Sequence, residues 1–270
     1  MNAKHPIRND LRVLVPQYPS NFYHKKAAFT LAEGATHVAH WKDSRKVAFT
    51  LAEVLITLGI IGVVAALTLP NLIENHNRKV VETRLEKVYS TMNQAIRMAE
   101  LDYGDRENWF VDSADKIEQK AWIKKYILPY VKYNKFDEIK INGAYMNVIY
   151  FADGSALVRI STNGRDWIFF PGNIEKCIKT PTASYKNHIG KCSFAYYYNP
   201  VSTKNTIVSK SYSPYGIGWD RLGNNPEETL KYHTNFGCYN QESTWRGFCT
   251  ALIHRNGWKF PKDYPYRVHY

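Results

Sequence analysis

The sequence predicts an α+β fold, in which one very long helix packs on an antiparallel sheet domain with long, disulfide-pinned loops. Three observations carry this expectation. Residues 49–72, FTLAEVLITLGIIGVVAALTLPNL, are almost wholly apolar and hold one carboxylate, Glu53. Beyond Pro70, apolar residues Val81, Leu85, Val88, Met92, Ala95, Ile96 and Ala99 recur at three- and four-residue spacing, as in an amphipathic helix. Farther on, Met146–Phe151, Ala156–Ile160 and Asp166–Phe170 read as strands, rich in Val, Ile, Phe and Tyr.

The two helical stretches join into one helix over residues 49–102, transmembrane over about 49–72 and water-facing beyond. An α-helix of about 24 residues rises ~36 Å, enough to cross a bilayer core. The basic segment Lys42-Asp43-Ser44-Arg45-Lys46 precedes it, which predicts a cytoplasmic amino terminus and a domain on the other side. An ionisable group in such a span is costly, so Glu53 calls for a partner; in a lone helix it would snorkel towards headgroups. Gly59 and Gly62 permit close helix approach or are ordinary membrane-helix glycines. Pro70 lacks an N–H, so with Gly62 it marks either an easily unwound stretch or a fixed kink. Glu82, Arg84, Glu86, Lys87, Arg97 and Glu100 fill the other faces. The helix should end near Tyr103-Gly104-Asp105.

Residues 103–270 form the predicted globular domain. A short helix is expected from Asp112 or Ser113 through Ile117, Trp122 and Ile127, stopping at Pro129. The strands are separated by Ala152-Asp153-Gly154-Ser155 and Thr162-Asn163-Gly164-Arg165, whose Asp-Gly and Asn-Gly pairs supply the positive φ of tight hairpin turns. Residues 171–245 read as loops with short strands. Gly247–Asn256 reads as a short helix stopped by Gly257.

Four cysteines, Cys177, Cys192, Cys238 and Cys249, all lie downstream of the apolar span, which suits two disulfides in an oxidising compartment. Three pairings exist; the short loops favour Cys177–Cys192 and Cys238–Cys249. Zinc would want a Cys-x-x-Cys spacing that is absent, so no metal and no cofactor are expected.

Residues 1–48 read as a leader to be set apart from the fold. They carry eight Lys/Arg against three acids, which leaves +7 of the formal +12 for the remainder. Ala28-Phe29-Thr30-Leu31-Ala32-Glu33 echoes Ala48-Phe49-Thr50-Leu51-Ala52-Glu53, but only the second copy runs into apolar sequence. Enzyme chemistry finds little purchase. His76, His188, His233, His254 and His269 are scattered, Gly216-Ile217-Gly218 lacks the third glycine of a dinucleotide fingerprint, and Asp153 and Asp166 fit a turn and a strand edge.

Lys46-Val47-Ala48-Phe49-Thr50-Leu51-Ala52-Glu53-Val54-Leu55 closely resembles the prepilin-type cleavage and methylation motif of type IV pilins and type II secretion pseudopilins. The resemblance covers roughly residues 42–100. It implies cleavage by a prepilin peptidase between Ala48 and Phe49, N-methylation of Phe49, and a mature chain with Glu53 fifth, Gly62 fourteenth and Pro70 twenty-second. It also implies that Glu53 pairs with the α-amine of Phe49 on a neighbouring subunit as the chains assemble. Ala48 stands where the family usually has Gly, and the leader is longer than most.

The implied location is the bacterial inner membrane, single-pass, with the C-terminal domain periplasmic or extracellular, and then a filament. The implied partners are other pilin or pseudopilin subunits, the prepilin peptidase, the inner-membrane assembly platform and membrane lipid. The mature size and the elaborate disulfide-bearing domain suit a minor or specialised structural subunit of a secretion pseudopilus or type IV pilus, and the retained Glu53 argues against the family's tip-type subunit, which usually lacks that acid.

The alternative is a pilus-borne adhesin, or a minor pilin that binds DNA or glycan. Tyr196-Tyr197-Tyr198, Tyr212, Tyr215 and Trp219 would form its aromatic surface, joined by Lys204, Lys210 and Arg221 for a nucleic acid. The loop from Asp220 to Glu228 is a weak calcium candidate, because Pro226-Glu227-Glu228 also reads as a helix start.

Overall fold

The computed structural model describes residues 50–109, 113–160, 165–179, 184–201, 211–217, 225–240 and 245–270. The helix α1 runs from Leu51 to Tyr103 and passes Pro70 without a break. Gly104, at φ +77°, ends it by donating its N–H to the Glu100 carbonyl at 2.9 Å. Only glycine takes that left-handed turn without steric cost, which is why the helix stops there.

α1 has two halves of different character. Residues up to Ile73 face outward almost without exception, whereas Val81, Leu85, Val88, Met92, Ala95, Ile96 and Ala99 are all buried. The predicted stripe is therefore the core-facing one. Each of its larger side chains contributes about 1.5–3 kcal/mol by leaving water. Truncating Ile96 to Ala would cost about 2–5 kcal/mol. Glu82, off the apolar stripe, is buried all the same: it is 7% exposed and bonded to the C-terminal segment. Asn93 is equally buried, with both ends of its amide used.

Six antiparallel strands follow in sequential order: β1 (Lys135–Ile141), β2 (Ala144–Tyr150), β3 (Ala156–Arg159), β4 (Asp166–Phe170), β5 (Phe194–Tyr198) and β6 (Tyr212–Pro214). The three expected strands are present as β2, β3 and β4. β1 was not anticipated. Its sequence KFDEIKI is half charged and it is only partly buried, as suits an edge strand that must not recruit another chain. The turn into β2 is Asn142-Gly143, both at positive φ (52° and 80°), a two-residue hairpin of the primed type. Gly154, at φ +80°, turns β2 into β3 as expected. The Asn163-Gly164 turn lies outside the described residues.

Register places Asn147, Arg159, Trp167 and Tyr196 in one row across β2 to β5, so all four point to the same face. α1 and α2 (Lys116–Tyr126) cover that face. The Tyr196 hydroxyl donates to the Leu85 carbonyl of α1 at 2.9 Å. The Asn147 amide donates to the Lys116 carbonyl at 3.1 Å, and the Arg159 guanidinium lies 4.4 Å from the Trp122 ring. α2 starts later than expected. Asp115 is its N-cap, accepting from the amides of Ile117 and Glu118 at 2.6 and 3.0 Å.

The stretch 171–245 holds more order than its composition suggests: the short helix α3 (Ile174–Cys177), strands β5 and β6, and the helix α4 (Pro226–Tyr232). α5 (Cys249–Arg255) follows, and Gly257 sits at φ +66° just beyond it. Cys177 is bonded to Cys192 and Cys238 to Cys249. The first bond ties the end of α3 to the approach of β5, and the second ties the segment after α4 to the start of α5.

Candidate functional site

Two surfaces of α1 stand out. The first is its outer half, residues 51–73. It includes Leu51, Leu55, Ile56, Leu58, Ile60, Ile61, Leu67, Leu72 and Ile73, each at least half exposed. This is the one helix among the described residues that is long and apolar enough to cross a membrane, and none of its most apolar stretch is buried. An apolar face of this extent is far larger than a soluble surface ordinarily carries.

Glu53 lies in the first turn of α1 and faces outward. A carboxylate there also complements the positive end of the helix dipole. Ala48 and Phe49 lie outside the described residues, as do residues 1–47. Gly59 and Gly62 face open space, where an added Cβ would meet nothing within 4 Å. That leaves the helix surface flat at both positions. Pro70 removes the amide that would have bonded the Ala66 carbonyl. Two residues earlier, the Thr68 hydroxyl donates to the Val64 carbonyl at 2.9 Å.

The second surface is the level at which α1 meets the domain. There the C-terminal segment closes on the helix. The Asn77 amide donates to the Val268 carbonyl at 3.4 Å, and the Tyr270 hydroxyl is 3.4 Å from His76 Nε2. Glu74 pairs with Arg78 at 2.9 Å and with Arg267 at 3.7 Å. The Arg78 guanidinium lies 5.7 Å from the Phe260 ring centre and 6.0 Å from that of Tyr264. Two turns along, Glu82 accepts from Phe260 N and Lys259 Nζ, both at 2.9 Å. Sequence reasoning missed this clasp. Its signal was weak: one Glu beside the apolar stripe and a Tyr-rich tail.

The remaining candidates are absorbed by the fold. Tyr196, Tyr198, Tyr212 and Tyr215 are buried, so they do not form the aromatic surface expected of a glycan or DNA binder. Tyr196 and Tyr212 stack at 5.0 Å, and burial pushes both phenols well above their ordinary pKa. Packing beneath strands and loops wins because each ring removes a large apolar area from water. Trp219, Lys204, Lys210 and Arg221 lie outside the described residues.

Residues 220–224 of the calcium candidate are likewise outside them, and its remaining acids serve α4. Asn225 caps that helix at the Glu228 amide and donates back to the Glu228 carboxylate at 2.9 Å. Glu227 pairs with Lys231 at 3.1 Å. Cys177, His188 and Cys192 lie within 4.8 Å of one another, but the two sulfurs are joined and offer no thiolate to a metal. Burial, then the charges of Lys191, His269, Arg246 and Lys179, lowers the His188 pKa.

A cleft of about 470 Å³ lies between α1 and the β2–β3 turn, lined by Arg84, Lys87, Tyr130, Lys132, Asp153 and Phe169 among others. Much of its charge is committed internally. Arg84 donates to the Pro171 and Asp153 carbonyls, and Lys87 pairs with the Asp153 carboxylate at 2.9 Å. Burial would raise the Asp153 pKa, but the hydrogen bonds from Ser155 and Lys87 outweigh it and take it down to about 2.

No curated protein and no solved structure matches the chain. Residues 71–268 match a family described as a family of unknown function, DUF6613, and the chain belongs to that family.

Proposed function

We propose that this protein is a pilin-like structural subunit that is processed between Ala48 and Phe49 and polymerises through the outer half of α1. The observation that carries the reading is the split character of one continuous helix. Its first half is an exposed apolar surface with Glu53 at its start, and its second half is the core element of an antiparallel domain. An apolar face on a lone subunit needs lipid before assembly and other copies after it. The motif from Lys46 to Leu55 supplies the processing event that would separate the two states.

In this reading Glu53 meets the new amine of Phe49 on a neighbouring copy. Pairing neutralises two charges that would each be costly in an apolar interior, and so sets the axial step between subunits. Gly59 and Gly62 flatten the helix surface for close packing. The machine served is a type II secretion pseudopilus or a type IV pilus-like filament, and the place is that of a minor or specialised subunit. The protein contributes structure rather than catalysis. The adhesin alternative loses support, since most of its aromatic residues are in the core.

The deciding experiment is mass spectrometry of the mature chain from its host. N-methylated Phe49 at the amino terminus is the expected result. An intact Met1, or a signal-peptidase cut within or beyond the apolar run, overturns the reading.

A further inference from the structure

We propose that the C-terminal tail, residues 266–270, together with Lys191, forms a collar that binds the anionic phospholipid headgroups of the bilayer crossed by α1. The inference rests on the membrane-borne reading of α1 given above and goes beyond it, because it assigns a lipid contact to the folded domain.

The placement of the tail is the first argument. Arg267, Val268 and His269 flank α1 from Ala66 to Asn77, bordering a groove that also includes Leu69, Pro70 and Ile73. The tail touches α1 at Glu74, His76 and Asn77, so it lies just beyond Ile73, and the groove it borders reaches about 10 Å back along the helix to Ala66. That is where a span of this length leaves hydrocarbon and enters headgroups.

Charge is the second. Arg267 is 86% exposed at its side chain, although its Nε is 3.7 Å from Glu74. His269 donates its amide to the Lys191 carbonyl at 3.2 Å, which fixes Lys191 beside the tail. Burial, together with the charges of Lys191 and Lys179, lowers the His269 pKa. Glu74 is shared between Arg78 and Arg267 and the Tyr270 α-carboxylate adds a second negative charge, so with Lys191 the three cations leave the collar net positive.

The third argument is residue type. Tyr266 is half-buried beneath Lys191 and Arg246, 5.5 and 5.1 Å from its ring centre, and Tyr270 closes the tail. Tyrosine is enriched at both membrane–water boundaries, where its ring sits at headgroup level, and the exposed Arg267 lies between Tyr266 and Tyr270 in the tail. Phosphate oxygens suit a guanidinium fork such as that of Arg267.

The test is amide hydrogen exchange at residues 266–270 of the full chain, inserted one copy per nanodisc. Discs of phosphatidylcholine are compared with discs of equal phosphatidylcholine and phosphatidylglycerol. Exchange should slow by about fivefold in the anionic discs, as one basic contact at an anionic surface implies, and the difference should fade in high salt. Arg267→Glu should abolish the difference and Arg267→Lys should keep most of it, with unfolding temperature monitored for both. Equal exchange in the two lipids, or an unchanged difference in Arg267→Glu, overturns the proposal. Protection that appears only with several copies per disc assigns this face to a second copy and also overturns it. Failure of the chain to insert overturns the membrane-borne reading, and the collar with it.

Discussion

Glu82 on α1 accepts a 2.9 Å hydrogen bond from the backbone N–H of Phe260, across 178 residues of sequence. The same carboxylate takes the Lys259 ammonium at 2.9 Å. Lys259 is 67% exposed, so its ion pair is screened and contributes little. The Phe260 amide is buried and needs an acceptor, which makes that bond the important one.

Glu82→Ala should therefore destabilise the protein by about 2–3 kcal/mol, because it leaves a buried donor unpaired. Glu82→Gln should cost less, since its amide oxygen still accepts from Phe260. Urea unfolding of the full chain in mild detergent, followed by tryptophan fluorescence, measures both. An unchanged midpoint in the alanine variant would remove the clasp from the list of stabilising contacts.

Asn93 holds β6 to α1. Its side-chain amide donates to the Tyr212 carbonyl at 2.7 Å, and its oxygen accepts the Tyr212 amide at 3.1 Å. This mimics one rung of a β-ladder at the sheet's last strand. Asn93→Leu should cost about 2–4 kcal/mol, since two buried backbone groups lose partners at once. Asn93→Asp should be nearly as harmful, because its carboxylate would face the Tyr212 carbonyl. The same unfolding assay decides, with exchange at Tyr212 as the local readout.

Acid should loosen the turn between β2 and β3. The Asp153 carboxyl titrates at about 2, below its ordinary value of 3.8. A depressed folded pKa means that ionised Asp153 stabilises the fold above about pH 4. That contribution falls away as pH drops towards 2. After allowance for solvent screening it is on the order of 1 kcal/mol. Asp153→Asn should flatten the pH dependence of stability in that window. A parallel shift of the whole curve, with no change of slope, would refute the assignment.

The filament reading makes its own prediction at Glu53. Glu53→Val should leave cleavage at Phe49 intact but reduce incorporation into filaments by an order of magnitude or more. Phe49 methylation and filament content can be scored in the same cells. Normal assembly of the valine variant would show that no charge pairing of Glu53 is needed.

Legibility differed by element. The stripe from Val81 to Ala99 was readable because helix geometry alone puts those positions on one side, and an apolar side must be covered. β1 escaped notice because an edge strand needs no apolar alternation, although Asn142-Gly143 announced its hairpin. The tyrosines of β5 fit either packing, the commoner role of such runs, or a binding surface, and burial shows packing. Consecutive tyrosines look the same whether they face solvent or a neighbouring strand, and the pairing of β5 with β4 and β6 decides which.

What the sequence by itself determined is local: the long apolar run, the amphipathic stripe, the Asp153-Gly154 turn and the cap at Gly104. Each follows from a few neighbouring residues, through helix period, chain length or the φ that only certain residues tolerate. What only the tertiary structure decided is distant. Glu82 finds Phe260, Asn93 finds Tyr212, and Arg267 comes to rest beside Glu74. No short-range rule encodes those meetings. They arise because a buried polar group must find a partner wherever the folded chain brings one within reach.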